Sequence, residues 1–149
     1  IGLILTDAGP KVIEYNVRLG DPETEVILPR LDTDLYELVD AAINDEPMPD
    51  VQISPLATFG VVVASEGYPT SPVHGQQLGK LPDASDVEID FANVAGTIDD
   101  LKGNGGRLLM VLSKAESLQE AHDRVYQYLD HHEWHQCFYR HDIGAKANL

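Results

Sequence analysis

The sequence has very little cysteine, since Cys137 is the only one in 149 residues. A disulfide within the chain needs two cysteines, so a small scaffold held together by disulfides is excluded. Long hydrophobic runs are lacking as well, because no stretch approaches the roughly 18 consecutive apolar residues of a membrane span. With an apolar fraction of 43%, the chain is instead expected to fold around an ordinary hydrophobic core.

Basic residues are also scarce, with 10 Lys and Arg against 25 Asp and Glu and a formal net charge of −15. A nucleic-acid-binding surface needs clustered Lys and Arg to replace the counterions of the phosphates, and an anionic membrane surface attracts the same residues. The composition therefore disfavours nucleic-acid and membrane partners. It predicts an acidic cytoplasmic protein.

The first residues, "IGLILT", contain an apolar run without a basic segment before it. A secretory signal peptide is therefore not expected. Because strand-like sequence begins at Ile1 without a preceding Met, we expect the chain to be part of a longer polypeptide.

The first 50 residues predict a hairpin followed by a helix. "GLILT" and "KVIEYNVRL" are separated by the turn formers of "DAGP", which predicts two antiparallel strands. "GDPETE" is expected to form a turn. "DTDLYELVDAAIN" has an Asp or Thr to cap it and apolar residues at helical spacing, so it predicts a helix.

The rest of the chain is rich in strand patterns. Apolar strand-like runs alternate with glycine-containing turns, and one amphipathic helix begins at Ser117, with Glu120 placed as in a capping box. We therefore predict an α+β fold in which residues 56–149 form a small barrel-like or sandwich-like domain with that helix packed on it. The acidic, proline-rich segment before it predicts a linker at 51–55, and residues 1–50 would belong to a preceding domain.

The second predicted strand places Glu14, Asn16 and Arg18 on one face, because side chains alternate along a strand. Apolar residues suited to a core fall on the other face, namely Ile13, Tyr15, Val17 and Leu19.

A Glu carboxylate beside an Asn carbonyl suits a hard cation such as Mg²⁺, whose remaining ligands are often substrate phosphates and water. An Arg one step further supplies a fork for a phosphoryl oxygen. Alternation by itself fits a solvated strand face better than a metal site, since most half-buried strands have a polar face.

A longer motif consists of Glu14, Asn16, Arg18, Gly20, Asp21, Pro22, Glu23 and Thr24. This run resembles the ATP-grasp ligases and in particular the phosphoribosylamine–glycine ligases, and the resemblance favours the metal site. Further blocks resemble the same family in the same order: "VVVASEGYP", "VAGT", "NGGRLLMV" and "FYRHDIG". The segment "VHGQQLGKLPDA" and the last residues, "AKANL", match it only loosely.

The resemblance implies a ligase that joins glycine to 5-phosphoribosylamine in purine biosynthesis, with ATP hydrolysed to ADP and phosphate through a glycyl phosphate. It implies Glu14 and Asn16 as ligands of Mg²⁺ or Mn²⁺, Arg18 as the residue that stabilises the transferred phosphoryl group, and Asp21 as a substrate-binding residue. The sequence lacks a glycine-rich phosphate loop with its lysine. We therefore expect the isolated chain to be inactive.

Two alternatives remain open at this stage, another ATP-grasp carboxylate–amine ligase and a non-catalytic binding or interaction module. Four histidines near the C-terminus lack a second ligand-rich segment, so a structural or solvated role is expected for them. Trp134, Phe138 and Tyr139 are expected to belong to the core. Arg107 follows two glycines and is expected in a turn that enters a strand. The resemblance implies at most a place for Arg107 at the rim of the active site.

Overall fold

A computed structural model describes residues 1–83 and 85–147. Within these residues the fold is α+β, as predicted, and the chain forms nine strands, three α-helices and one 3-10 turn. In chain order they are β1 (Gly2–Thr6), β2 (Gly9–Glu14), α1 (Glu23–Ile27), the 3-10 turn (Leu28–Arg30), α2 (Leu35–Ile43), β3 (Ala57–Ser65), β4 (Gln77–Gly79), β5 (Glu88–Phe91), β6 (Val94–Thr97), β7 (Asp100–Gly103), β8 (Arg107–Ala115), α3 (Leu118–Asp130) and β9 (Cys137–Phe138). None of the helices in the described ranges has the length and apolar character needed to cross a bilayer.

The predicted N-terminal hairpin is confirmed, with β1 and β2 antiparallel and Gly2 opposite Glu14. The strand ends at Glu14, so the prediction that Asn16 and Arg18 share a strand face with it is wrong. Residues 15–20 form no strand, so the alternation of side chains that holds along a strand does not extend to Asn16 and Arg18.

The face of the hairpin that was expected to enter a core is exposed instead. Within residues 1–83 and 85–147 the two strands pair only with each other, and large apolar side chains on both of their faces are exposed. Val17 retains 97% of its accessible surface, and Ile13, Tyr15 and Leu19 are also exposed.

A short helix replaces much of the turn expected at "GDPETE". The backbone turns at residues 20–22, and α1 then begins at Glu23 and leads directly into the 3-10 turn. The predicted second helix is confirmed as α2, where the Asp34 side chain accepts a hydrogen bond from the Tyr36 amide at 2.8 Å. Only Ala41 of this helix is buried.

The core of the molecule is a four-stranded antiparallel sheet in the order β5-β8-β3-β9, and α3 packs on one of its faces. A separate three-stranded sheet, β4-β7-β6, contributes Leu78 and Leu101 to the same core cluster. The predicted strand-rich domain with one packed helix thus consists of two antiparallel sheets that share one core within the described residues. The buried side chains between the main sheet and α3 include Val61, Val63, Leu109, Val111, Ala121, Val125 and Leu129.

The opposite face of the main sheet is occupied by α1 and the 3-10 turn. Gly60 makes this close approach possible, because a Cβ atom there would lie only 3.1 Å from Val26 Cγ1. The Lys114 ammonium donates a hydrogen bond to the Pro29 carbonyl at 2.6 Å. The segment after the hairpin is therefore fastened to the sheet of the C-terminal half.

The N-terminus of α3 follows the predicted cap in part. The Ser117 side chain accepts a hydrogen bond from the Glu120 amide at 3.1 Å. The Glu120 carboxylate pairs with Arg124 at 2.6 Å, four residues further along the helix.

The buried residues of α3 are Ala121, Val125, Tyr128 and Leu129. Shortening one of these side chains should reduce stability more than shortening an exposed side chain. Val125→Ala removes a side chain with 0% exposure, so it should lower the free energy of unfolding by about 2 kcal/mol. Val39→Ala in α2 is the matched control because Val39 is 47% exposed. Urea denaturation followed by circular dichroism measures both changes, and equal losses would contradict the packing described here.

Candidate functional site

A cleft of about 460 Å³ lies beside the end of β2. It brings together all four residues that the sequence marked as candidates: Glu14, Asn16, Arg18 and Asp21. Its remaining walls are Ile1, Gly2, Gly20 and Glu23. The four candidates are therefore neighbours even though only Glu14 lies in a strand, because the chain after β2 curves around one concavity.

Glu14 and Asn16 provide the oxygen donors at one end of the cleft. The Asn16 amide nitrogen donates to Glu14 Oε1 at 3.3 Å. A carboxylate and an amide carbonyl form a donor set that suits Mg²⁺ or Mn²⁺ rather than a thiol- or imidazole-preferring metal. In residues 1–83 and 85–147 no group of three His, Cys, Asp or Glu side chains could hold a metal. A cation at Glu14 and Asn16 would thus need substrate oxygens or water to complete its shell, and their role as ligands stays a prediction.

Arg18 lies on the wall of the same cleft and is exposed. One of its terminal nitrogens donates to the Leu19 carbonyl at 3.0 Å. Its other guanidinium donors have no hydrogen-bond acceptor within the described part of the chain. The side chain has donors to spare for an anionic group.

Asp21 is held by an arginine that lies 86 positions further along the chain. The Arg107 guanidinium donates to the Asp21 backbone carbonyl at 2.7 Å and approaches Asp21 Oδ2 at 3.3 Å. Sequence reasoning placed Arg107 in a turn entering a strand, and β8 does begin there. It did not detect the contact with Asp21, for which no local signal exists.

Glu23 was also overlooked as a wall of the cleft, although it belongs to the same motif. Its carboxylate lies directly over Gly20, where a Cβ atom would collide with it. With Glu14, Asp21 and Glu23 the cleft is lined by three carboxylates and one cation, Arg18. Its electrostatic character favours positively charged groups or a metal ion over an unaccompanied anion.

The C-terminal histidines and aromatic residues lie away from this cleft. His132 packs edge-on against Trp134 with ring centroids 4.5 Å apart, and burial lowers the pKa of the imidazole. Trp134 and Tyr139 pack against the core as predicted. Phe138 is exposed, so its assignment to the core is wrong. The strand β9 that carries it pairs at the edge of the sheet.

The last motif, "FYRHDIG", forms a local ionic pair. Arg140 Nε donates to Asp142 Oδ1 at 2.8 Å and Nη2 to Oδ2 at 2.6 Å. This pairing raises the pKa of Arg140 and lowers the pKa of Asp142. The motif therefore shapes the C-terminal loop and does not reach the cleft.

The chain is similar in structure and in sequence to known ligases. A crystal structure of the phosphoribosylamine–glycine ligase of Thermotoga maritima matches with a TM-score of 0.81 and 35% identity over 95% of this chain. The fold is thus that of an α+β domain found in a ligase. A family model described as "Phosphoribosylglycinamide synthetase, C domain" matches residues 58–146. The chain belongs to this family.

Curated relatives carry the same name over nearly the whole chain. The phosphoribosylamine–glycine ligase of Listeria monocytogenes serotype 4b is 45% identical over 149 residues, and that of Streptococcus suis is 41% identical over 148 residues. Each match covers 98% of this chain. The chain spans 35% of the length of each relative, and the same share of the Thermotoga maritima protein.

The Tyr139 phenol predicts a measurable alkaline transition. Burial and the hydrogen bond that its hydroxyl donates to Asp130 at 2.7 Å raise the pKa of Tyr139 to about 12. Since the pKa in the folded state exceeds that of an unfolded chain, the stabilising effect is complete below pH ~10. It is lost as the pH rises through about 12.

Tyr139→Phe should therefore remove one late-titrating phenol from the absorbance at 295 nm. It should also reduce the difference in stability between pH 9 and pH 12, measured by urea denaturation. A wild-type titration in which all tyrosines ionise near pH ~10 would contradict the assignment.

Proposed function

We propose that this chain forms the C-terminal part of an ATP-grasp ligase that joins glycine to 5-phosphoribosylamine in purine biosynthesis. One observation carries the proposal: Glu14, Asn16, Arg18 and Asp21 converge on one cleft in a chain of this family. The names of the relatives support the same substrates and the ligase class. The proposal includes a cytoplasmic location and residues 1–50 as the end of the ATP-grasp domain, joined through 51–55 to a C-terminal domain at 56–149.

The reaction would proceed in two steps. First, a glycine carboxylate oxygen attacks the γ-phosphorus of ATP, the bond to the bridging oxygen breaks, and ADP leaves with glycyl phosphate formed. Second, the amine nitrogen of 5-phosphoribosylamine attacks the acyl carbon, phosphate leaves, and the nitrogen loses a proton. Phosphoryl transfer of this kind depends mainly on positioning and charge stabilisation.

The residues of the cleft fit these requirements. Glu14 and Asn16 would hold Mg²⁺ or Mn²⁺, which supplies neutralisation of phosphate charge when bound. The free donors of Arg18 would bind an oxygen of the transferred phosphoryl group. Asp21 would bind a substrate, and its contacts with Arg107 keep it at the cleft.

The isolated chain should not catalyse this reaction, because its sequence lacks a phosphate-binding glycine loop. The exposed apolar side chains of the hairpin and α2 support this interpretation. Leu5, Ile13, Val17 and Ile43 are among those that lie uncovered. Many exposed large apolar side chains in one segment of a chain suggest an interface, and we infer that the remaining two thirds of a longer ligase would cover them.

A chimera tests the function directly. The matching third of the Listeria monocytogenes ligase is replaced with this chain, and ADP release is measured with glycine and 5-phosphoribosylamine present or omitted. The chimera should require both substrates, and the 149-residue chain alone should be inactive. Glu14→Gln should lower kcat by roughly a hundredfold, since a lost metal ligand weakens phosphate charge neutralisation.

Glu133→Gln serves as the matched control because the Glu133 side chain is 89% exposed and lies outside the cleft. Activity of the chimera without glycine would contradict the substrate assignment. An unchanged kcat in Glu14→Gln would contradict the proposed role of Glu14.

The interface proposal predicts association with the rest of a ligase. The chain should bind the complementary fragment of the Listeria monocytogenes enzyme, and Val17→Asp should weaken that binding roughly tenfold or more, since it places a charge in an apolar contact. Because Val17 is 97% exposed, the substitution should leave the stability of the isolated chain unchanged. Calorimetric titration and urea denaturation measure the two effects. Equal binding by the wild type and the variant would overturn the interface.

A further inference from the structure

Arg107 reaches the cleft because of an irregularity in the main sheet. Val63 pairs with Leu109 and Ala64 pairs with Arg107, so Leu108 is an extra residue on β8. Regular alternation would place Arg107 on the same face as Leu109, under α3. The bulge turns it to the opposite face, where α1 lies, and re-aiming of a side chain in this way is a common result of bulges beside functional sites.

The turn that precedes Arg107 is held in place. Gly105 and Gly106 have φ values of 82° and 74°, a region that favours glycine. The Asn93 side-chain amide donates to the carbonyls of Asn104 and Gly105 at 2.9 and 2.8 Å. The Gly106 carbonyl accepts from the Ser65 amide at 2.8 Å. Arg107 therefore projects from a fixed base.

The guanidinium bridges two groups of one residue, the Asp21 carbonyl and Asp21 Oδ2. It also shares a small cavity with the side chains of Glu25 and Asp90. Glu25 Oε2 is buried there without a hydrogen-bond partner within the described residues. Arg107 is thus the cation that this cavity places among the carboxylates of Asp21, Glu25 and Asp90. Without it, these three carboxylates would repel one another.

Asp21 Oδ1 carries no hydrogen bond within residues 1–83 and 85–147, and Asp21 lines the acidic cleft. We propose that Arg107 is a positioning residue that anchors Asp21 so that its free carboxylate oxygen accepts a hydrogen bond from the ammonium group of the amino-acid substrate. The inference rests on the proposed function, with glycine as that substrate. It assigns the ammonium end of glycine to Asp21 and leaves the phosphoryl group to Arg18.

Hydrogen exchange on the 149-residue chain tests the anchoring without any activity. The Thr24 amide donates to the Gly20 carbonyl at 3.0 Å, next to Asp21. Arg107→Met should accelerate exchange of this amide about tenfold, because the loop loses a charge-assisted anchor. Arg107→Lys should give an intermediate rate.

Arg124→Met is the matched control, since Arg124 also contacts a carboxylate and a backbone carbonyl, those of Glu120 and Lys114. It should leave Thr24 exchange unchanged. Equal exchange in Arg107→Met and the wild type would overturn the anchoring.

Kinetics of the chimera test the role toward substrate. Arg107→Met should raise KM for glycine about tenfold while KM for ATP stays within about twofold, with partial rescue by Arg107→Lys. A purely structural role would change both KM values together, and that result would overturn the proposal. An active chimera with an unchanged KM for glycine would contradict only the role of Arg107. A wild-type chimera without ligase activity would contradict the proposed function, and the glycine assignment would fail with it.

Discussion

The pairing of β3 with β8 is the constraint on which the rest of the molecule depends. These two nine-residue strands are antiparallel along nearly their whole length, from Ala57 opposite Ala115 to Ala64 opposite Arg107. One face of the pair binds α3 and forms the apolar core, and the other binds α1 and the 3-10 turn. The sheet therefore connects a stable core on one side with the candidate site on the other.

This arrangement explains how a weakly covered segment keeps a defined position. The region before β3 buries few apolar side chains, and in the part of the chain that the structure describes the two strands of the hairpin pair only with each other. Polar contacts supply the connection, with Lys114 bound to the Pro29 carbonyl and Arg107 bound to Asp21. Each adds only about 1–3 kcal/mol when a charged group takes part. These contacts hold the segment from Asp21 to Pro29 against the sheet, and the hairpin before it has apolar side chains available for a larger interface.

Sequence reasoning succeeded where the determinants are local. The cap of α3 and its apolar residues lie within one short segment of sequence. The turn formers of the hairpin likewise lie between the two strands that they join. Both elements were therefore predictable from the sequence. It failed where the determinants are distant. α1, for example, packs against Gly60 of β3, in a distant part of the sequence. The contact between Arg107 and Asp21 spans 86 positions and needs a bulge at Leu108 that no local pattern reveals.

The same distinction applies to the candidate site. The motif from Glu14 to Thr24 marks most of the residues that line the cleft, because a continuous segment forms it. The motif alone does not explain why an acidic cleft would bind a nucleotide. Three carboxylates repel a triphosphate unless cations intervene, so Arg18 and a divalent ion would have to act together there. Of the three carboxylates that line the cleft, Asp21 is the one that pairs with an arginine within residues 1–83 and 85–147. Its second carboxylate oxygen, Oδ1, carries no hydrogen bond within the described residues and is the atom proposed to accept from an ammonium group, while Glu14 is proposed as a ligand of the metal ion.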